Sequence, residues 1–161
     1  MSSSSTNCGP TLTSSSGSRP FAKAAKVYED LTDPRGIAQL GLRYINLVTF
    51  PAAKVALHEY FTVGPQTPGA WDDEHGSFLV RVEKHKPQGL KMVLTFGSAP
   101  PEGSGKSAFL LDLYALVDPG TLLRADTLST ALSMAHDSIE EVFEGSITAT
   151  LRGVFEPETP P

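Results

Sequence analysis

The longest regular pattern of apolar residues lies near the C-terminal end of the chain and has the period of an α-helix. Apolar residues recur there at intervals of three or four positions: Leu128, Leu132, Ala135, Ile139, Val142, Phe143, Ile147 and Leu151. This spacing places them on one face of a helix, whose start can be capped by Asp126 or Thr127. At a rise of about 1.5 Å per residue, some 22 residues would form a helix roughly 33 Å long, which could lie across a small sheet. Gly145 interrupts the pattern, so we expect a bend or an early end there.

Four segments rich in β-branched and aromatic residues predict strands, over residues 40–50, 77–84, 90–97 and 108–117. The connections between the last three are short and contain proline, glycine and polar residues, so these strands should form an antiparallel meander. The fourth strand is apolar on both of its faces, which predicts a central strand covered on two sides.

Two shorter helices are predicted in the N-terminal half. The first spans residues 21–30, where apolar side chains have helical spacing: Phe21, Ala24, Ala25 and Tyr28. Pro51 suits the first turn of a second helix of about eleven residues, although residues 55–63 can also be read as a strand. The order is then helix, strand, helix, three strands and a long helix. This order predicts an α+β fold, an antiparallel sheet of about four strands with the long C-terminal helix packed on one face.

The chain of 161 residues has the length of one domain, which we place at residues 20–155. Residues 1–19 are rich in serine and nearly free of charge, and residues 156–161 contain three prolines. Neither composition favours a packed core. We therefore expect a disordered Ser-rich tail at 1–19 and a Pro-rich tail at 156–161.

Charge and cysteine content exclude several classes of function. With 13 basic and 18 acidic residues the net charge is −5, which argues against nucleic acid or an anionic membrane as the partner. Cys8 is the only cysteine, so an intrachain disulfide and a cysteine zinc site are excluded. The sequence has no secretory signal pattern and no apolar run long enough to span a membrane, so we expect a cytoplasmic location. One group of basic residues is interpreted as protection of an edge strand: Arg81, Lys84, Lys86 and Lys91.

None of the motifs that usually mark catalytic chemistry is complete. Residues 103–107, Gly-Ser-Gly-Lys-Ser, resemble the end of a phosphate-binding loop, but Pro100 stands where that loop needs glycine, and a strand follows. The acidic loop at residues 72–75 lacks the oxygen spacing of a calcium site. The four histidines are not spaced as a helical metal pair: His58, His75, His85 and His136. We therefore predict no catalytic residue, no cofactor and no metal.

Two polar residues stand within apolar strands, Asn46 in the first and Asp112 in the fourth. Each should project from an apolar face, and a lone polar group buried there would cost several kcal/mol, so each needs a partner. One interpretation is a hydrogen-bonded pair or a bulge that sets the register. The other is an interface or pocket on the sheet face away from the long helix, which binds a partner or ligand through Tyr44, Asn46, Asp112 and Tyr114.

Three segments resemble parts of one protein family: GLRYIN at residues 41–46, LLDL at 110–113 and HDSIEEVFEGSIT at 136–148. Their order and spacing are similar to the C-terminal half of a sporadically distributed, uncharacterised bacterial protein family, over about residues 21–155. The resemblance implies a bacterial cytoplasmic protein, and it carries no established activity or cofactor. Members of that family are usually longer, which leaves open either a truncated gene or a partner that supplies the missing N-terminal half.

The hypothesis we favour is a non-enzymatic protein-binding or assembly module, in which an exposed sheet face meets another protein or a second copy of the chain. The alternative is a helix-grip-like carrier, in which a curved sheet wraps the long helix and leaves a cavity for a small apolar ligand. An enzyme that uses Asp112 or His136 is a third, less favoured hypothesis.

Overall fold

A four-stranded antiparallel sheet with a long helix on one face forms the main part of the fold. The computed structural model describes residues 18–32, 36–68, 76–118, 120, 123 and 125–155. Its elements are α1 (Ser18–Thr32), β1 (Leu40–Phe50), α2 (Leu57–Tyr60), β2 (Leu79–Lys86), β3 (Leu90–Ala99), β4 (Ser107–Val117), α3 (Ala125–Ser146) and α4 (Ala149–Phe155). The predicted α+β class and the element order are confirmed, with α4 in addition.

The strands lie in the order β1-β4-β3-β2, and every neighbouring pair is antiparallel. The last three strands form the predicted meander, and β1 adds to its far side next to β4. The central position predicted for β4 is therefore confirmed. The bounds of β1 match the predicted 40–50, because aromatic and β-branched residues fill this segment up to Pro51.

The core lies between α3 and the sheet. α3 packs across β1, β3 and β4, and Leu113 and Ala135 are completely buried where helix and sheet meet. Five phenylalanines pack at one end of this layer, with ring centroids 4.6 to 6.4 Å apart: Phe50, Phe61, Phe78, Phe96 and Phe109. Apolar burial of this kind supplies most of the stabilisation of a domain of this size.

The helix predicted after Pro51 is much shorter than expected. Only Leu57–Tyr60 is helical, and Ala56 before it is extended, with φ −72° and ψ 92° and no side-chain cap. Phe61 leaves the helix in an extended conformation, pairs with Ile147 and is buried. Burial of Phe61 therefore outweighs the helical spacing of the segment, and the competing strand over 55–63 does not form either.

The expected early end of the long helix is confirmed. α3 ends at Ser146, directly after Gly145, and the Ser146 hydroxyl donates to the carbonyl of Val142 at 2.6 Å. The backbone N–H of Thr62 donates to the carbonyl of Ser146 at 3.0 Å, so the residues directly after α2 bind the end of α3. Ile147 and the residues of α4 consequently lie outside α3, although they continue its apolar pattern.

Three predicted features lie outside the described residues: the part of the N-terminal tail before Ser18, the tail at 156–161 and the acidic loop with His75. Ser18 and Arg19, assigned above to the N-terminal tail, form the start of α1. Among the helices that the structure describes, none is long and apolar enough to cross a membrane.

Candidate functional site

The two faces of the sheet have different surroundings. α3 covers one face, and none of the described helices packs against the other, which we call the open face. A second covering layer, expected from the apolar character of β4, is thus not formed by the part of the chain that the structure describes. The strand registers place the following side chains on the open face: Arg43, Ile45, Leu47, Leu79, Arg81, Glu83, Lys91, Val93, Thr95, Leu110, Asp112, Tyr114 and Leu116.

The register of β1 on β4 separates the four predicted site residues into two pairs. Asn46 lies opposite Leu111 and Tyr44 opposite Leu113, whose side chains face α3. Asp112 lies opposite Ile45, on the open face, together with Tyr114. This corrects the expectation of one shared face. Alternation within a strand separates its own two faces, but only the register relates the face of one strand to the face of the next.

Asp112 has the partner that its position requires. Arg43 donates from Nε to Oδ1 at 2.8 Å and from a terminal nitrogen to Oδ2 at 2.6 Å. The Asp112 side chain is 12% exposed and that of Arg43 is 56% exposed. The hydrogen bond to Asp112, followed by the charge of the same carboxylate, raises the pKa of Arg43 above its usual value. A two-pronged pair of this kind holds both side chains in one geometry.

Sequence reasoning did not identify Arg43 as a partner of Asp112. A signal was present, because Arg43 alternates with Ile45 and Leu47 and so belongs to the strand face opposite to Asn46. The pairing itself depends on the register, which places Arg43 diagonally from Asp112.

Asn46 and Tyr44 have structural partners on the α3 side. The Asn46 side chain donates from Nδ2 to the carbonyl of Leu111 at 3.1 Å, across the strand pair. Tyr44 meets the His136 ring edge to face, with centroids 6.1 Å apart. The expected partner for each buried polar group is therefore present, although Asn46 and Asp112 do not bind each other.

A second group of charges lies on the β2 side of the open face. Glu83 accepts from Arg81 at 2.7 Å and from Lys91 at 2.5 Å. The hydrogen bonds from Lys91 and then Arg81 lower the pKa of Glu83. A hollow of about 440 Å³ lies between this group and the Arg43–Asp112 pair, lined by Arg43, Arg81, Val93, Thr95, Asp112 and Tyr114.

The Tyr114 ring lies directly over Gly41 of the neighbouring strand. A Cβ at Gly41 would lie 2.6 Å from the Tyr114 Oη and 2.9 Å from its Cε2. Only glycine leaves room for this ring position, so Gly41 and Tyr114 together shape this end of the open face.

Large apolar side chains remain exposed at both margins of the open face. Ile45 is 60% and Leu47 is 51% exposed on β1, and Leu79 is 71% exposed on β2. Between the margins, Leu110, Tyr114 and Leu116 are half-buried. The face is therefore apolar along its β1 margin and at Leu79, and the charged side chains named above form ion pairs within the chain.

Two other places were candidates for chemistry. The side chains of His136, Asp137 and Glu140 on α3 bring their ligand atoms within 4.8 Å of one another, and both acids are exposed. A cleft of about 530 Å³ lies at the end of the sheet between residues 53–57 and the β3–β4 connection, with Phe78 and Phe109 in its lining. Neither this cleft nor the hollow on the open face is lined by a residue of α3.

Comparison with known proteins gave no relatives: no protein-family model, no curated protein and no solved structure matches this chain. The geometry of the open face is therefore the basis for a functional proposal.

Proposed function

We propose that this chain is a non-enzymatic protein-binding or assembly module that uses the open face of its sheet. The observation that carries the proposal is the exposure of Ile45 and Leu47 at the β1 margin, beside a face on which none of the described helices packs. Exposed apolar side chains that border a continuous surface are typical of interaction sites. The proposal retains Asp112 and Tyr114 in the site, adds Arg43, and assigns Tyr44 and Asn46 to the support of the sheet.

The charges of the open face favour an apolar protein surface as the occupant. Arg43 is bound to Asp112, and Arg81 and Lys91 are bound to Glu83, so these cations already have acidic partners within the chain. A polyanion such as nucleic acid would have to compete with those carboxylates, and the chain as a whole carries a net charge of −5. An apolar protein surface leaves the ion pairs intact and covers the exposed margins.

Light scattering on the purified full chain tests this proposal. We expect a concentration-dependent rise in molar mass for the wild-type chain, and its loss in Ile45→Lys, because a lysine on the open face places a charge in the interface. Val154→Lys is the matched control, since Val154 on α4 is 62% exposed and lies away from the sheet.

The proposal is contradicted by a chain that stays monomeric at every concentration. It is equally contradicted if Ile45→Lys and Val154→Lys have the same effect, because the association then depends on exposed apolar residues in general.

The cleft at the sheet end favours a small-molecule carrier as a second candidate function, although it is not the cavity between α3 and the sheet that the helix-grip hypothesis requires. Phe78 and Phe109 supply an apolar lining, and Lys106 supplies positive charge, which together would suit a small ligand with an apolar body and an acidic group. Native mass spectrometry of the purified chain should then show a bound small molecule that is lost in Lys106→Glu, because Lys106 lines the cleft and is exposed. A mass equal to that of the bare chain would contradict the carrier hypothesis.

Origin in a bacterial cytoplasm and membership of the family described above are part of the same proposal. They are supported by the GLRYIN, LLDL and HDSIEEVFEGSIT segments and by the single cysteine.

A further inference from the structure

The two edges of the sheet differ in length and in charge. β1 is an edge strand of 11 residues with one charged side chain, Arg43, which is bound to Asp112. β2 is an edge strand of eight residues, LVRVEKHK, that carries most of the predicted protective basic group. Lysines on an edge strand discourage pairing with another chain, whereas a long apolar edge invites it. The edge formed by β1 is therefore the one suited to pairing.

The direction of the backbone groups of β1 follows from one hydrogen bond between β3 and β4, taken together with the strand registers. The N–H of Asp118 donates to the carbonyl of Gly89 at 2.9 Å, so even-numbered residues of β4 direct their backbone groups towards β3. Odd-numbered residues of β4, such as Leu111, then face β1 and bond to its even-numbered residues. The N–H and C=O groups that point away from the sheet are those of Gly41, Arg43, Ile45, Leu47 and Thr49.

These outward groups have no partner among the described residues, since β1 pairs only with β4 and no other backbone hydrogen bond reaches them. A strand added to this edge would form hydrogen bonds with these groups, about one donor and one acceptor for each outward residue.

The sequence of β1 is compatible with pairing to itself. If two copies pair in antiparallel orientation, the register that includes all 11 residues is centred on Ile45. It places Ile45 opposite Ile45 of the second copy and Arg43 opposite Leu47, so no like charges face each other. It also brings outward-pointing residues opposite outward-pointing residues, as an antiparallel ladder requires.

We propose that the partner is a second copy of this chain, paired through β1 about a two-fold axis at Ile45. The inference rests on the proposed assembly function and names its partner. The two four-stranded sheets become one continuous sheet, with both copies of α3 on the same side and the two open faces joined. Ile45 of each copy then lies beside Ile45 of the other, and Leu47 lies beside Arg43 of the second copy, so part of their exposed surface is covered.

Sedimentation of the full chain with proline variants tests this pairing. Leu47→Pro removes an outward N–H and no bond of the sheet itself, because proline is tolerated on the solvent side of an edge strand. We expect it to raise the dimer dissociation constant at least about 100-fold. His85→Pro removes an outward N–H on β2 in the same way and should leave the dimer unchanged. Circular dichroism of each variant verifies that the fold is retained.

Cross-linking gives an independent measurement of the register. In a Cys8→Ser background, Ile45→Cys should form a covalent dimer with a short thiol-specific cross-linker, because the two thiols would lie across the two-fold axis. Leu79→Cys, on the opposite margin of the open face, should not.

The outcomes separate this inference from the proposed function. Association that is retained in Leu47→Pro and lost in Leu79→Lys would mean that open faces pack on each other, which overturns edge pairing and leaves the assembly function standing. A strictly monomeric wild-type chain would overturn both. A folded monomer whose β1 amides resist hydrogen exchange would show that another segment of the same chain covers the edge, which also overturns the dimer.

Discussion

At the scale of single residues, Asp112 is the least exposed of the paired charged side chains on the open face, and its ion-pair partner is Arg43. Its side chain is 12% exposed, and Arg43 supplies two hydrogen bonds to it. By contrast, Lys26 and Asp30 on α1 form a pair in which both side chains are more than 60% exposed. Pairs of the second kind contribute little to stability, whereas removing one member of a sheltered pair leaves a charge without compensation.

We therefore predict that Arg43→Met lowers the urea midpoint of unfolding several times more than Lys26→Met does. The double variant Arg43→Met with Asp112→Leu should recover part of the loss, because it also removes the isolated carboxylate. Equal effects of the two single variants would show that the Arg43–Asp112 pair does not hold the open face together.

The residue scale is also where sequence reasoning reached its limit. The need of Asn46 and Asp112 for partners was predictable, since each interrupts an apolar strand. Their separation onto opposite faces was not, because it depends on Asn46 lying opposite Leu111 rather than Asp112. A shift by one residue would have produced the expected shared face.

At the scale of elements, the cluster of five phenylalanines, the aromatic cluster, connects the sheet with Phe61, the residue directly after α2. Phe96 on β3 is completely buried, and its ring lies 4.6 Å from that of Phe61 and 5.4 Å from that of Phe78. Phe96→Ala should therefore lower the free energy of unfolding by about 3–5 kcal/mol, measured by urea unfolding. Val82→Ala on β2 is the control, because Val82 is 52% exposed. A loss of similar size in both variants would contradict the assigned core.

A second prediction at this scale concerns the contact between α3 and the edge of β2. Lys86 donates to Glu141 at 2.5 Å, and this hydrogen bond lowers the pKa of Glu141 in the folded chain. The folded state therefore favours the ionised carboxylate, so its contribution is present above the ordinary carboxyl pKa and is lost as pH falls through the lowered value.

Glu141→Gln should accordingly be less stable than the wild-type chain at neutral pH and match it in acid, once the pH has fallen below the lowered pKa of Glu141, as measured by urea unfolding. The control is Glu102→Gln, in an exposed loop outside the helices and strands, which should show no such difference. A difference between Glu141→Gln and the wild type that persists in acid would indicate a packing effect instead of a charge effect.

The elements show which sequence signals were sufficient and which were overridden. The bounds of β1 and the end of α3 after Gly145 could be predicted from local composition, because the fold keeps the local preference at both places. The helix after Pro51 failed, because Phe61 is buried against the aromatic cluster and pairs with Ile147. Such a contact between distant segments has no signature in a local pattern.

At the scale of the whole molecule, the sheet is covered on one face by α3 and protected at one edge by the basic side chains of β2. The open face and the edge of β1 remain, and they meet at Ile45 and Leu47. A surface that joins the open face to the edge of β1 is suited to assembly.

Hydrogen–deuterium exchange at low and high protein concentration tests assembly through β1, because it measures the exchange rates of the β1 amides themselves. We expect peptides covering Leu40–Phe50 to exchange more slowly at high concentration and peptides covering Leu79–Lys86 to be unchanged. Exchange in both strands that is independent of concentration would contradict it.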